Sequence, residues 1–445
     1  MTDRWLQLNW NELGLVPVIF IMILGLMYLV RSLSDRFGFS AEIKRKMIHV
    51  AVGLASLFFP LFFSSPLPVL VLIVCAILFM LAIRRKKSKE DGLGSVLHSV
   101  SRRSYGEIYL ALAVAILFFR SEASPVLYVL PLLVITLSDT ASALVGTAYG
   151  RMRFAVEDGT KSLEGALAFF TVTWICAMIV LLLMSDAARI NVIILSFLIA
   201  AFCTLIEADS WQGLDNLFVP IGAHLILERY MDTTPWNLLL VALFFMVMIF
   251  LASRGAAYLS ITKHEARSRT ILIFLILTVT QPMNSVLAFV AIFSHTIASK
   301  FTPCDSQSPV LNLIAVSAGV GLVWLVAGEV IGVTAINLFN MTFAGVAAIF
   351  MTLALFERAR GEYWRFAILP FNLLLMVIFI VVAHMNPEKS IWFHPVWFFI
   401  LISIGLASIV AWSKPVWFVQ WRCLKAFGFA MIVPLILFFT HGVIR

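Results

Sequence analysis

Apolar runs long enough to cross a bilayer as single helices recur along the whole chain, among them 14–30, 124–148, 165–184, 236–252, 331–355, 366–384 and 393–411. Inside hydrocarbon a backbone must satisfy its own amides and carbonyls, so such runs fold as helices and pack on one another. Of the 445 residues, 62% are hydrophobic and 13% charged, too little polar surface for a water-soluble globule. The spacing predicts an all-α, polytopic transmembrane helical bundle with about 14–16 membrane segments. The opening MTDRWLQLNWNEL lacks the basic start and small-residue cleavage site of a signal peptide, and it is not Arg- and Ser-rich like a transit peptide. The first apolar run is therefore expected to stay as a membrane helix, in a bacterial inner membrane rather than an organelle membrane.

The net charge of +8 does not point to nucleic acid, because the basic residues sit in short loops between apolar runs, as at Arg84-Arg85-Lys86-Lys87 and Arg102-Arg103. That pattern orients helices and contacts lipid headgroups. The basic loops 31–46, 84–106 and 151–161 share one side if each intervening run crosses once, and the positive-inside rule makes that side cytoplasmic. The same parity brings 207–215 and 254–269 there, given a short crossing at about 216–228. Cys75, Cys176, Cys203, Cys304 and Cys423 are scattered without metal-ligand spacing, so neither a disulfide framework nor a zinc site is expected.

The hydrophilic stretch 261–269 divides the chain, since the membrane-depth acid clusters lie before it and almost none after it. The expected organisation is a catalytic membrane domain over 1–260 and an accessory transmembrane helical domain over 261–445. In the second, Thr280-Gln281-Pro282 interrupts the run 270–299 and predicts a kinked helix or a helical hairpin. A hairpin would put Arg358, Arg360 and Arg365 on the cytoplasmic side as well. The aromatic clusters Trp392-Phe393-His394-Pro395-Val396-Trp397 and Trp417-Phe418-Val419-Gln420-Trp421 read as interfacial anchors. Glu329, Asn337 and Asn340 read as interhelical hydrogen-bonding groups rather than a second site.

Three clusters stand out against this apolar background. The first is 138–165, SDTASALVGTAYGRMRFAVEDGTKSLEG. On a helix Asp139, Ser142, Gly146 and Gly150 share a narrow stripe. Glycines alone would indicate a helix-packing surface, but packing gives no reason to bury a carboxylate, and an intramembrane acid by default marks a functional site. Beyond a polar loop with Arg151, Arg153, Glu157 and Asp158, Thr160-Lys161-Ser162-Leu163-Glu164-Gly165 is expected to open the next helix. Free amides there, joined by a lysine and hydroxyls, suit a phosphate; a capped helix start with a snorkelling lysine is the plainer alternative. Glu164, three residues on, can pair with Lys161 or reach magnesium through water.

The second cluster, Glu42-Ile43-Lys44-Arg45-Lys46-Met47-Ile48-His49, places Arg45 and His49 one turn apart at the cytoplasmic edge, unless it is only a basic anchor. The third, Glu207-Ala208-Asp209 with Asp215-Asn216 and Pro220, offers hard oxygen ligands of the kind magnesium takes together with substrate phosphates, although acidic loops are commonly just solvated. Their convergence on one face suits phosphoryl transfer, which needs charge neutralisation and positioning. No GxxxxGK[ST] is present, so a donor must be held in another way.

These residues resemble the membrane polyprenol kinases, the family that includes phytol kinase and dolichol kinase. The family's D-T-x-x-A-x-x-x-G-x-x-x-G and K-[ST]-x-E-G elements are matched by Asp139-Thr140, Ala143, Gly146, Gly150, Lys161-Ser162 and Glu164-Gly165. Arg45-Lys46-Met47-Ile48-His49 is similar to its R-K-x-x-H element, Ser104-Tyr105-Gly106-Glu107 to a short S-x-G turn, and Asp215-Asn216 with Pro220 to D-N-x-x-x-P. The match runs over about 40–225; 261–445 has no counterpart, and the Trp-Pro of some dolichol kinases is missing between Gly150 and Lys161, which favours the phytol-kinase-like branch.

The resemblance implies a CTP- and magnesium-dependent kinase acting on a long-chain isoprenoid alcohol such as phytol, farnesol, geranylgeraniol, polyprenol or dolichol. Asp139, His49 and Lys161 are the expected catalytic residues, with the base left open between Asp139 and His49. Arg45, Lys46, Thr140, Gly146, Gly150, Lys161, Ser162, Glu164, Gly165 and Asn216 are expected to bind nucleotide, and Asp139, Asp215 and Glu164 to bind magnesium. The expected partners are the lipid alcohol, CTP and membrane lipids, with no nucleic acid, and a homo-oligomer stays open. The competing readings are phosphatidate cytidylyltransferase, CTP-dependent diacylglycerol kinase and, from another class, a membrane transporter.

Overall fold

A computed structural model of the chain describes residues 10–85, 105–121, 124–156, 159–256, 261–306, 309–331, 334–358 and 366–442. Among these residues 13 helices are long and apolar enough to cross a membrane, and the molecule is an all-α, multi-pass membrane bundle. The expected segment number differs from this because three further helices have only 15, 16 and 17 residues.

The chain forms two compact units, one ending at Arg267 and the other running from Ser268 to Arg445. In the first, α1 (Trp10–Arg36), α2 (Ala41–Ser56), α3 (Pro66–Arg85) and α4 (Gly106–Arg120) are followed by α5 (Val126–Leu133), a π turn (Val134–Ser138) and α6 (Asp139–Tyr149) in one membrane-length element. A β-hairpin of β1 (Arg153–Val156) and β2 (Gly159–Ser162) leads into α7 (Leu163–Met184), α8 (Arg189–Asp209), α9 (Asp215–Tyr230) and α10 (Pro235–Gly255). The hairpin takes the place of the expected polar loop, and the expected helix start falls at Leu163, with Thr160 and Lys161 on β2; Glu157 and Asp158 lie outside the described residues, as do Lys86, Lys87, Arg102, Arg103 and Ser104.

Helices α7 and α8 pack along each other, and α9 sits against α4, α5 and α8. The short crossing expected at 216–228 is α9, whose residues from Asn216 to Leu227 are nearly all buried. Lipid-facing sides are recognisable as exposed large apolar residues, for example Leu240, Leu243, Phe244, Phe250 and Leu251 on α10.

Because the helices alternate in direction, one end of this unit gathers the ends of α1, α3, α6, α8 and α10 with the starts of α2, α4, α7 and α9. Lys44 binds Asp35 there, Lys46 binds Asp139, Lys161 binds Glu207 and the Tyr105 amide binds the Gln212 carbonyl. The far end has its own ties, Glu12 to Ser64 and Ser65, and Arg120 to His224 and Glu228.

The second unit contains α11 (Lys263–Val279, whose first five residues belong to the first unit), α12 (Pro282–Phe301), α13 (Pro309–Val330), α14 (Ile336–Arg358), α15 (Ile368–Met385), α16 (Val396–Ser413), α17 (Arg422–Ala430) and α18 (Ile432–Leu437). The expected interruption is real: α11 ends at Val279 and Pro282 begins α12, a position where its missing N–H costs nothing. Helix α14 is the axis, with 89% of its spanning window buried, packed by α12, α15, α16 and α17. Asn337 and Asn340 join Asn284, Asn386 and Ser390 in a buried interhelical hydrogen-bond network. Trp392 and Phe393, expected as interfacial anchors, are core residues at 3% and 2% exposure, whereas Trp397, Trp417 and Trp421 are exposed. Arg360 and Arg365 lie outside the described residues.

Candidate active site

Asp139 is placed by an irregularity in its own helix. After Pro131 the backbone widens into the π turn, a local register change that often marks functional positions, and α6 resumes at Asp139 itself. The carboxylate is buried, and its Oδ2 accepts from Lys46 Nζ at 2.6 Å. His49 Nε2 lies 3.7 Å from the same oxygen and 3.2 Å from the carbonyl of Ile135. A carbonyl can only accept, so the Ile135 bond puts the hydrogen on Nε2 and leaves a lone pair on Nδ1.

Helix α2 reaches this position because Gly53 permits it: a Cβ there would lie 2.8 Å from Thr136 Cγ2 and run into Thr136 Oγ1. Ser40 starts the helix by accepting from the Ile43 amide at 3.4 Å. The pair that shares a target is thus Lys46 and His49, three residues apart, rather than Arg45 and His49. Arg45 instead holds Glu42 in a two-pronged contact of 2.7 and 3.2 Å, and Asp139 and Glu107 act on it electrostatically. Lys46, expected on a nucleotide, has its ammonium on Asp139.

Lys161 projects from β2, opposite Phe154. Its Nζ is 2.9 Å from Glu207 Oε1 and also donates to the Glu207 carbonyl. Burial works against its charge, but Glu207 and then Asp215 hold the ammonium's pKa above the ordinary lysine value, with Asp139 adding to them. The expected Lys161–Glu164 pairing is corrected: Lys161 is on a strand, so helical three-residue spacing does not apply, and Glu164 accepts from the Met152 amide at 3.1 and 3.3 Å. Glu164 thereby fastens the hairpin to α7 and is not brought to Asp139 as a shared metal ligand.

The small residues build the crossing of α6 and α7. A Cβ on Gly146 would stand 3.0 Å from Ser162 Oγ, one on Gly165 would stand 3.3 Å from Gly146 Cα, and one on Gly150 would stand 2.8 Å from Ser162 Cβ. Ser162 caps α7 through the Gly165 amide at 3.1 Å, and Thr140 Oγ1 donates to the Thr136 carbonyl at 2.9 Å. The glycines thus permit the helix crossing and Ser162 caps α7, as the plainer sequence alternative describes.

In the acidic cluster Asp209 is taken up by Arg267 at 2.7 and 3.3 Å and by His264 Nδ1 at 2.9 Å, which ties the end of α8 to the start of α11. Asp215 and Asn216 open α9 after a turn in which Gln212 and Gly213 have φ of 54° and 85°, held by the Tyr105 amide at 3.2 Å. Among the described residues the half-buried Asp215 has no hydrogen-bond partner, and it acts electrostatically on His49, Lys161 and Glu207. Asn216 is 6% exposed, and its Oδ1 is without a partner.

Among the described residues no three His, Cys, Asp or Glu side chains converge as a metal cage. Magnesium bound with phosphates needs only one or two carboxylates, and the free carboxylate of Asp215 beside an unsatisfied amide oxygen fits that demand. Sequence reasoning missed two contributors, Glu207 as the partner of Lys161 and Gly53 as the close approach that delivers Lys46 and His49.

The chain is similar to the phytol kinase of Synechocystis sp., with 30% identity over 220 residues, which are 49% of this chain and 90% of that relative. No family model matches the chain, and no solved structure does.

Proposed function

This chain belongs to the membrane polyprenol and phytol kinase family, and we propose that it transfers the γ-phosphoryl group of CTP to the hydroxyl of a long-chain isoprenoid alcohol at the cytoplasmic end of its first unit, in a bacterial inner membrane. The observation that carries this reading is the meeting of Asp139, His49, Lys46, Lys161, Glu207 and Asp215 at one end of an otherwise apolar bundle. There a lipid hydroxyl can reach a soluble nucleotide while its hydrocarbon stays among helices. Leu144, Leu163 and Leu167, exposed beside the α6–α7 crossing, offer the tail an apolar path.

The alcohol oxygen attacks the γ-phosphorus, a new O–P bond forms, and the bond to the nucleoside diphosphate oxygen breaks. His49 receives the hydroxyl proton at Nδ1, its Nε2–H remaining on Ile135 O. Asp139, 3.7 Å behind Nε2, stabilises the imidazolium that results. Lys161, aimed by Glu207, and Arg45 neutralise donor phosphates, and Asp215 with Asn216 would hold magnesium. Bound there, magnesium would supply charge neutralisation on the phosphate oxygens.

Nucleotide binding to purified protein tests these roles. Lys161→Ala is expected to weaken CTP binding about tenfold, the loss of one charged hydrogen bond, without altering the preference among alcohols. Unchanged CTP affinity would assign Lys161 to structure alone.

A further inference from the structure

The second unit buries a guanidinium that no carboxylate among the described residues compensates. Arg422 opens α17 at 2% exposure, and its Nε and Nη2 donate to the carbonyls of Phe418 at 3.3 Å, Thr302 at 3.2 Å and Pro303. Two of these carbonyls follow the end of α12, so part of the side chain's work is to hold that helix end. Its Nη1 is shut off from solvent and finds no acceptor.

One residue on, Cys423 Sγ lies 3.6 Å from Nε2 of His295, a side chain with 0% exposure whose Nδ1 also lacks a partner. When the thiol donates to Nε2, Nδ1 carries hydrogen and becomes a second donor. Arg422 and Arg269 both act electrostatically on His295, and the ionisable neighbours that act on Arg422 are Cys304 and Cys423, neither of them an acid. A cation removed from water without a counter-charge is strongly unfavourable, and an anion at Nη1 would relieve it.

The setting indicates which anion. Lys300 ends α12, Lys414 follows α16 and Lys425 lies on α17, while the loops 302–306 and 414–421 contribute a single acid, Asp305. The Asp305 amide binds the Val419 carbonyl, Lys425 Nζ donates to the Trp417 carbonyl at 2.7 Å, and Lys414 stands 5.9 Å over the Trp417 ring. Trp417 and Trp421 are 50% and 70% exposed. Lysines beside exposed tryptophans at helix ends are the residues that favour the headgroup layer of a membrane.

We propose that Arg422 Nη1 and His295 Nδ1 form an anion site in the second unit that takes the phosphate of an anionic membrane lipid. This site stands apart from the kinase reading, and its test does not measure phosphoryl transfer.

The test uses the full chain in dodecyl maltoside, titrated separately with phosphatidate, with diacylglycerol of the same acyl chains and with inorganic phosphate. Retained lipid is counted by native mass spectrometry and the unfolding temperature is followed. One phosphatidate per chain should be retained and should raise the unfolding temperature, while diacylglycerol does neither. Arg422→Gln should weaken retention about tenfold, and Lys161→Ala, in the other unit, should leave it unchanged. Should Arg422→Gln fail to fold, His295→Phe, which removes the Nδ1 donor, is expected to weaken retention in the same assay. Equal retention of diacylglycerol, undiminished retention by the Arg422 or His295 variant, or loss of retention in Lys161→Ala would each overturn the proposal. Stabilisation by inorganic phosphate without retained lipid would also overturn it, as a free-anion site.

Discussion

A carboxylate persists inside an apolar bundle only where something compensates it, and at Asp139 that is Lys46 at 2.6 Å with His49 at 3.7 Å. Asp139→Asn should lower turnover by roughly a hundred- to ten-thousand-fold, the usual range for losing a group that supports proton transfer, and should also destabilise the fold by leaving Lys46 buried alone. Near-normal turnover in steady-state assays would remove Asp139 from the mechanism.

Glu207 makes a pH-dependent prediction through Lys161. Burial opposes the lysine's charge, yet Glu207 and Asp215 raise its folded pKa above the free value. A raised pKa contributes stability that is complete below the unfolded pKa and is lost as pH rises through the folded one. Glu207→Gln should therefore move the alkaline limb of the rate–pH profile to lower pH and raise KM for the nucleotide. An alkaline limb at the wild-type position would show that Glu207 does not sustain the lysine's charge.

At this scale the sequence marked Asp139, His49, Lys161 and Asp215, because acids and cations are conspicuous among apolar residues. It did not reveal their partners, which depend on contacts between residues 46 and 139 and between 161 and 207, far apart in the chain.

Among the elements, the junction between α2 and the π turn sets the geometry of the site. Gly53→Ala would drive a methyl group into Thr136 and should cost about 1–3 kcal/mol, as overpacking does. It should also separate Lys46 and His49 from Asp139 and reduce turnover more than nucleotide affinity. Thermal unfolding with parallel kinetics measures both effects, and an alanine variant with wild-type values for each would show that the close approach is dispensable.

Long helices were readable from apolar run length, and the break at Thr280-Gln281-Pro282 from proline chemistry. The hairpin was not, because strands of four residues are too short for alternation to register and Thr160-Lys161-Ser162 also reads as a helix start. The π turn left no sequence signal either, since Val134-Ile135-Thr136-Leu137-Ser138 suits any buried helix.

Over the whole molecule, the two compact units differ, one bringing Lys46, Asp139, Lys161 and Glu207 together at one end and one built around the buried helix Ile336–Phe356. The phytol kinase relative corresponds to 49% of the chain, and the chain divides into two compact units. The shift from charged to apolar segments near 261–269 was visible in composition. The Asn284–Asn337–Asn340–Asn386 network was not, because these residues come together only when α12, α14 and the end of α15 pack.

Phosphoryl transfer from CTP to a lipid alcohol is measured with the purified full chain, magnesium, and CTP or ATP. The acceptor panel is phytol, farnesol, a polyprenol, diacylglycerol and phosphatidate, with products identified by mass. An isoprenyl monophosphate should form with CTP in preference to ATP, at a rate roughly a hundred- to ten-thousand-fold lower in Asp139→Asn. A CDP-lipid made from phosphatidate, or no phosphorylated alcohol with either nucleotide, would contradict that outcome.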